Sequence, residues 1–224
     1  MLPTPIAIVF DLDGTLVDTA PDLLASLNAV LTRAGHHPVV PAQLRHLVGH
    51  GVRALFERAF AETEADIPEP HLADLSAQFL AHYRANIARE SRPFARVPET
   101  LDRLKAKGAL AGICTNKPQD LTELLLEELR LGRHFEAVHG TGRTPYSKPD
   151  PRHVLDVVSA LNGVRARAIM IGDSPVDVAA ARAAEIPVIV MGYGYTPVPI
   201  HELGADAVTD DFAELPELIS RLMD

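Results

Sequence analysis

Four short apolar runs, residues 6–10, 110–114, 168–171 and 188–191, constrain this chain more than any other feature. Each is too short for a buried helix and each is followed by polar or glycine residues. Each therefore reads as a strand buried on both faces. Amphipathic stretches separate them, and strands alternating with helices build βαβ units around a mostly parallel sheet. The expected fold class is α/β, with a doubly wound, mostly parallel, Rossmann-like core. A chain of 224 residues, 47% of them hydrophobic, can bury a core of that size.

One interval breaks the alternation. From Asp18 to about Arg92 no strand pattern occurs, and Leu23, Leu24, Leu27, Val30, Leu31 and Ala34 follow helical spacing, with Gly35 where a left-handed helix end would fall. Further helices are expected over 41–48, 52–61 and 71–89. The interval reads as an inserted four-helix cap domain, residues 18–92, with hinges near 17–20 and 91–97. It would close over a core made of residues 1–17 and 93–224. Beyond it, residues 98–107 read as a helix with Gly108 past its end. Residues 213–222 read as a final helix with Leu215, Leu218, Ile219 and Leu222 on one face.

Composition excludes some functions. A net charge of -9 argues against nucleic acid as a partner, because phosphate backbones are bound by clustered Lys and Arg. The only lysines are Lys105, Lys107, Lys117 and Lys148. Cys114 is the sole cysteine, which excludes an internal disulfide and a cysteine-based metal site. No run approaches the ~20 apolar residues that cross a bilayer, and the N-terminus lacks a basic stretch before a long apolar core. A cytoplasmic protein without a membrane partner is expected.

The polar groups at the strand ends carry the chemistry. Asp11-Leu12-Asp13-Gly14-Thr15 follows the first apolar run directly, and ligands of open parallel sheets bind beyond such carboxyl ends. The second run leads into Thr115-Asn116-Lys117-Pro118, where Pro118 suits a first helical position and Thr115 would sit beside free backbone N–H groups. The third leads into Gly172-Asp173-Ser174-Pro175-Val176-Asp177, with Asp173 and Asp177 spaced four apart across a strand-to-helix turn. Lys148, before Pro149, lies in the loop between. Taken singly, such residues are usually helix caps or solvated charges.

Their joint placement is different. Two carboxylates ~4 Å apart repel by about 4 kcal/mol at an effective dielectric of 20, so gathering up to four requires cations. An oxygen-only, partly hydrated cluster suits Mg²⁺, and a metal, a lysine and a helix N-terminus together make a phosphate site. Gly14 falls too early for an EF-hand loop begun at Asp11. The glycines at 140 and 142 and at 192 and 194 lack nucleotide-loop spacing. His46 and His50 are four apart, but Gly49 and Gly51 favour a loop there over a zinc site.

These residues resemble a known family. Asp11-Leu12-Asp13-Gly14-Thr15, Thr115, Lys148-Pro149 and Gly172-Asp173-Ser174-Pro175-Val176-Asp177 are similar to the four motifs of the haloacid dehalogenase superfamily, and the likeness covers essentially the whole chain. The helical insertion resembles that superfamily's helical-cap subclass. Within it, Val48-Gly49-His50-Gly51-Val52-Arg53, Thr115-Asn116-Lys117-Pro118, Gly192-Tyr193-Gly194-Tyr195 and Gly204-Ala205-Asp206 are most similar to the bacterial phosphoglycolate phosphatases.

The resemblance implies roles. Asp11 would be the nucleophile, forming an aspartyl phosphate, and Asp13 would protonate the leaving group and later deprotonate water. Thr115 and Lys148 would hold phosphoryl oxygens, and Asn116 would be a further substrate-binding residue. Mg²⁺ would be held by the Asp11 carboxylate, the Asp13 backbone carbonyl and Asp173. Asp177 would be a further ligand or a group orienting Lys148 or metal-bound water. An acid at position 13 separates the chain from the dehalogenases, and the absence of lysine between 18 and 92 disfavours the phosphonate-cleaving and mutase branches. The function implied is a Mg²⁺-dependent hydrolase of a small phosphate ester, foremost 2-phosphoglycolate, acting as monomer or homodimer. His50 and Arg53 would read the substrate carboxylate. A sugar-phosphate or nucleotide phosphatase, or a β-phosphoglucomutase-like enzyme, is the same-fold alternative. An aspartyl-phosphate signalling switch is the alternative of a different class, although its acceptor follows a middle strand and it lacks a lid.

Overall fold

Strand β1 (Ala7–Phe10) is buried along its whole length because it lies inside a six-stranded sheet between two layers of helices. The computed structural model describes residues 5–40, 52–61, 69–162, 164–196 and 198–223. In chain order, β1 is followed by β2 (Val17–Asp18), α1 (Ala20–Arg33), α2 (Val52–Ala61), α3 (Glu69–Ala85) and β3 (Arg92–Pro93). Then come α4 (Val97–Ala106), β4 (Leu110–Pro118), α5 (Gln119–Glu128), β5 (Ala137–Thr141), α6 (Pro151–Ala160) and β6 (Ala168–Gly172). The chain continues through α7 (Pro175–Ala183), β7 (Val188–Met191), β8 (Ala207–Thr209) and α8 (Leu215–Met223).

The sheet order is β5-β4-β1-β6-β7-β8, and every neighbouring pair is parallel. Alternation along β1 divides the core. Ile8 and Phe10 join a cluster with Leu101 and Leu104 of α4, Leu125 of α5 and Ile219 of α8. Ala7 and Val9 join another with Val154 and Val157 of α6 and Val178 and Ala181 of α7. A strand covered on both faces needs apolar residues at every position, which is why these strands appear as unbroken runs. Fully burying one such Ile or Phe stabilises by about 1.5–3 kcal/mol.

Several boundaries differ from expectation. Strand β4 does not stop at residue 114 but continues to Pro118, which pairs with Thr141 of β5 beyond a register shift. Pro118 is extended, with φ -52° and ψ 139°, and precedes α5 instead of being its first residue. The residue before a proline is held out of the helical region, so Lys117 stays extended. The helix expected over 71–89 spans Glu69–Ala85, that over 98–107 spans Val97–Ala106, and the last begins at Leu215 after a short 3₁₀ turn at 212–214. Strands β5 and β8 carry no long apolar run. Both are edge strands, and β5 includes His139, Gly140 and Thr141.

Between β2 and β3 the described residues form helices α1, α2 and α3, joined through Leu27, Leu31, Phe56, Leu75, Phe79 and Tyr83. The helix expected over 41–48 lies outside the described residues. The two crossings between sheet and helices run side by side, since β2 and β3 pair antiparallel, Val17 with Pro93 and Asp18 with Arg92. Next to them, buried Asp22 of α1 accepts hydrogen bonds from the Glu90 N–H (3.0 Å), the Ser91 N–H (2.8 Å) and the Ser91 hydroxyl (2.6 Å). No helix among the described residues is long and apolar enough to cross a membrane.

Candidate active site

Asp11 leaves β1 while still attached to the sheet, its N–H donating to the Ile171 carbonyl of β6 at 2.9 Å. The chain then turns sharply. The Leu12 carbonyl accepts from Leu16 and Val17, and Gly14 takes φ +87°, a conformation that an L side chain resists. Residues 11 to 15 are thereby folded back over the carboxyl end of the sheet, where β4 and β6 also end.

Asp173 follows the last residue of β6 and is oriented from two sides. The Thr15 hydroxyl donates to its Oδ1 and the Tyr195 N–H to its Oδ2, both at 2.8 Å. Close packing around it requires glycine, because a Cβ at Gly194 would overlap the Asp173 Cβ. Asp177, in the first turn of α7, uses its Oδ2 to accept from the N–H groups of Asp173 (3.1 Å) and Ser174 (3.0 Å) and from the Ser174 hydroxyl (2.6 Å). That half of the carboxylate is the helix cap that its position suggests. Its Oδ1 faces Lys148, whose Nζ lies 2.7 Å away and also 2.7 Å from Oδ1 of Asp11.

Lys148 is buried in a loop, and Asn116 holds that loop. The Asn116 amide donates to the Lys148 carbonyl at 3.0 Å and accepts from its N–H at 2.9 Å. Asn116 is thus bound to the backbone of the lysine, which makes it a support for Lys148. Thr115 is buried in β4, not at a helix start, and its hydroxyl oxygen accepts from the Lys117 N–H at 3.2 Å.

Asp11, Asp173 and Asp177 each present an oxygen within 4.8 Å of the others, against one lysine. Burial and the neighbouring carboxylates push Asp11 up to about 7, although Lys148 pulls it down. Burial, then Asp177 and Asp11, hold Asp173 well above the usual carboxylate range. The same carboxylates outweigh burial at Lys148 and keep it protonated above its ordinary range. A buried, all-oxygen donor set with more negative charge than one lysine offsets could hold a divalent cation, so the residues present fit a hard metal ion.

Asp13 lies apart from this cluster. Its carboxylate accepts from the Thr19 hydroxyl at 2.8 Å and from Lys117 Nζ at 3.0 and 3.2 Å. Lys117 also donates to the Tyr83 hydroxyl of α3 at 2.7 Å. The sequence points to no role for Tyr83, and it offers Lys117 only as part of the stretch Thr115-Asn116-Lys117-Pro118. The available signal was that Lys117 is one of only four lysines and sits at a strand exit.

The loop after β7 supplies further positioning. The Tyr193 hydroxyl donates to the Thr15 carbonyl at 2.7 Å and its ring packs on Phe94, while the Tyr195 hydroxyl donates to Asp18 at 2.5 Å and accepts from the Ala20 N–H at 3.0 Å. This loop therefore braces both the Asp11–Thr15 turn and the first crossing. His50 lies outside the described residues, as does the side chain of Arg53.

A family profile described as haloacid dehalogenase-like hydrolase matches residues 8–191. A phosphoglycolate phosphatase of Agrobacterium fabrum is 47% identical over 98% of this chain and 94% of its own length. One of Caulobacter vibrioides is 44% identical over 96% and 91%. A crystal structure described as a predicted phosphoglycolate phosphatase from Haemophilus somnus 129pt superimposes with a TM-score of 0.90 at 29% identity, covering 97% of this chain and 99% of that one. With the profile spanning most of its length and a relative 47% identical over nearly all of it, the chain belongs to the haloacid dehalogenase-like hydrolase family.

Proposed function

We propose that this hydrolase is a Mg²⁺-dependent phosphomonoesterase acting on 2-phosphoglycolate through a phosphorylated Asp11. The observation that carries the reading is the unequal setting of two carboxylates on one turn. Asp11 meets Lys148 within the acidic cluster, and Asp13 meets Lys117 and Thr19 outside it. A carboxylate beside a phosphate-binding cation suits in-line attack on phosphorus, whereas one held apart suits proton transfer. The substrate follows from the relatives named phosphoglycolate phosphatase.

In the proposed reaction an Asp11 oxygen bonds to phosphorus as the ester oxygen departs, and Asp13 delivers the proton that the departing alkoxide needs. Water then attacks the phosphorylated Asp11, Asp13 takes its proton, and inorganic phosphate leaves with Asp11 restored. Lys148 and the Thr115 hydroxyl hold phosphoryl oxygens, Asn116 fixes the Lys148 backbone, and Asp177 orients the Lys148 ammonium. Bound Mg²⁺, held by Asp11, Asp173 and the Asp13 carbonyl, would offset the charge on the phosphoryl oxygens that otherwise opposes an anionic nucleophile.

Residues 18–92 act as a cap domain over a core of residues 1–17 and 93–224, and the side-by-side crossings at β2 and β3 suit its hinges. His50 and Arg53 are the cap residues proposed to meet the substrate carboxylate. A cytoplasmic location belongs to the same reading, in which buried Cys114 remains a thiol. The test is a panel of phosphate esters, with and without Mg²⁺, on the wild type and Asp11→Asn. Turnover led by 2-phosphoglycolate, needing Mg²⁺ and lost in Asp11→Asn, is expected. A sugar phosphate or nucleotide hydrolysed with far higher kcat/KM would overturn the substrate, and undiminished turnover in Asp11→Asn would overturn the nucleophile.

A further inference from the structure

We infer that Lys117 is a positioning residue for the proton shuttle Asp13, and that Tyr83 of α3 holds Lys117 for that task. The inference rests on the phosphomonoesterase reading above. Lysine is ordinarily solvated, because an ammonium loses hydration when buried. Lys117 is only 6% exposed. All three of its donors have acceptors: Oδ1 of Asp13 at 3.0 Å, Oδ2 of Asp13 at 3.2 Å and the Tyr83 hydroxyl at 2.7 Å. Asp13 receives a further bond from the Thr19 hydroxyl at 2.8 Å. Oδ1 of Asp13 thus takes two donors and Oδ2 one, and the lysine, bonded to both oxygens, sets the plane of the carboxylate.

A group that delivers a proton in the transition state must be held within about 0.5 Å and 10–20° of the productive geometry. Lys117 provides that hold from β4, and it cannot do so alone. A lysine stem has four rotatable carbons, and the Tyr83 hydroxyl takes the remaining donor while the ammonium lies 4.6 Å from the ring centroid. Tyr83 is itself 1% exposed within the helical cluster, stacked on Phe79 with centroids 5.8 Å apart. The chain of contacts thus runs from the packed interior of α3, through Lys117, to the carboxylate beside the nucleophile. A lysine that served only as a structural staple would affect all substrates alike. One that orients a proton donor affects those whose leaving group needs a proton.

The test compares leaving groups. Glycolate departs as a strongly basic alkoxide and needs a proton, whereas dinitrophenolate from 2,4-dinitrophenyl phosphate and nitrophenolate from p-nitrophenyl phosphate do not. The parameter is kcat/KM, which ends at leaving-group departure and so excludes hydrolysis of the phosphorylated enzyme. For Lys117→Met, kcat/KM on 2-phosphoglycolate is expected to fall about 100-fold, the lower range for a lost general acid, and on the two activated esters by less than about 5-fold. Tyr83→Phe keeps the ring and removes one hydroxyl, and should give about a 5- to 10-fold loss with the same substrate bias. The activated esters also report whether Lys117→Met is folded. Equal losses on all three esters, or no loss on any, overturn the inference alone. A wild type that hydrolyses none of the three overturns the phosphomonoesterase reading and the inference with it.

Discussion

Replacing Gly14 by alanine tests how tightly the Asp11–Thr15 turn is packed against Asp173, a metal ligand in the proposed mechanism. Two costs can be separated. Alanine near φ +87° carries a backbone penalty of roughly 1–2 kcal/mol. Its Cβ would also lie 2.5 Å from Oδ2 of Asp173, 2.9 Å from its Cγ and 2.9 Å from Cδ2 of Tyr195, where ordinary contact begins at 3.4 Å. Asp173 must then retreat by about 0.9 Å, the difference between 3.4 and 2.5 Å, and it is buried and hydrogen-bonded at both oxygens. Such overpacking adds typically 1–3 kcal/mol, so Gly14→Ala should destabilise by about 3 kcal/mol in total, or about 6–12 °C in Tm for a chain of this size.

Two further glycines isolate the terms. Gly142 has φ +92° and open space, with nothing within 4 Å of where a methyl group would stand, so Gly142→Ala should carry the backbone cost alone, roughly 1–2 kcal/mol. Gly194 has no positive φ but a close approach to Asp173, so Gly194→Ala isolates the contact. Scanning calorimetry gives the stabilities, and Mg²⁺ titration of activity gives the half-saturation. If Asp173 holds Mg²⁺ as proposed, the Mg²⁺ half-saturation should rise about 10- to 100-fold in Gly14→Ala and Gly194→Ala, as for displaced supports of a metal ligand, and stay unchanged in Gly142→Ala. Equal Tm and equal Mg²⁺ half-saturation for Gly14→Ala and Gly142→Ala would refute the reasoning.

Two other outcomes follow from buried polar groups. Asp22→Ala strips the acceptor from the Ser91 N–H and hydroxyl, which are fully buried, and should cost about 3 kcal/mol in urea denaturation at pH 7; a loss below about 1 kcal/mol would contradict that accounting. His153 is fully buried in α6, and burial, with Lys148 nearby, lowers it from 6.5 to about 4. Between those values the unfolded chain binds the extra proton, so stability present above pH 6.5 is lost as pH falls towards 4, by up to about 3 kcal/mol. The raised carboxyl of Asp11 has the opposite sign, its contribution falling as pH rises from 3.8 to about 7. The His153 effect is therefore read as the difference between wild type and His153→Leu, and the variant losing as much stability as wild type between pH 7 and pH 4.5 would exclude it.

Much of the site is legible in the chain because its parts stand at fixed offsets from buried strands. Asp11 directly follows β1 and Asp173 directly follows Gly172, the last residue of β6, so an apolar run and the next residue suffice to place them. Asp177 is legible as a cap four residues on, but its second contact, to Lys148, spans 29 positions and has no local signature. Edge strand β5 escapes the same reading, since His139 and Gly140 interrupt its hydrophobic pattern. Asn116 shows the limit most clearly. Its amide binds the Lys148 backbone 32 residues away, a contact with no local signature.

By itself the sequence determined the parallel core, the helical interval after β2 and the carboxylates at the strand ends, because backbone periodicity and turn chemistry act over a few residues. Tertiary structure alone decided how those carboxylates are divided. Lys148 reaches Asp11 across 137 positions, 148 less 11, and Lys117 reaches Asp13 across 104. Which buried cation faces which anion depends on the order β4-β1-β6 and on the placement of α3, and desolvation makes that choice matter. A charge removed from water is governed by the few atoms it touches, and those atoms come from distant parts of the chain.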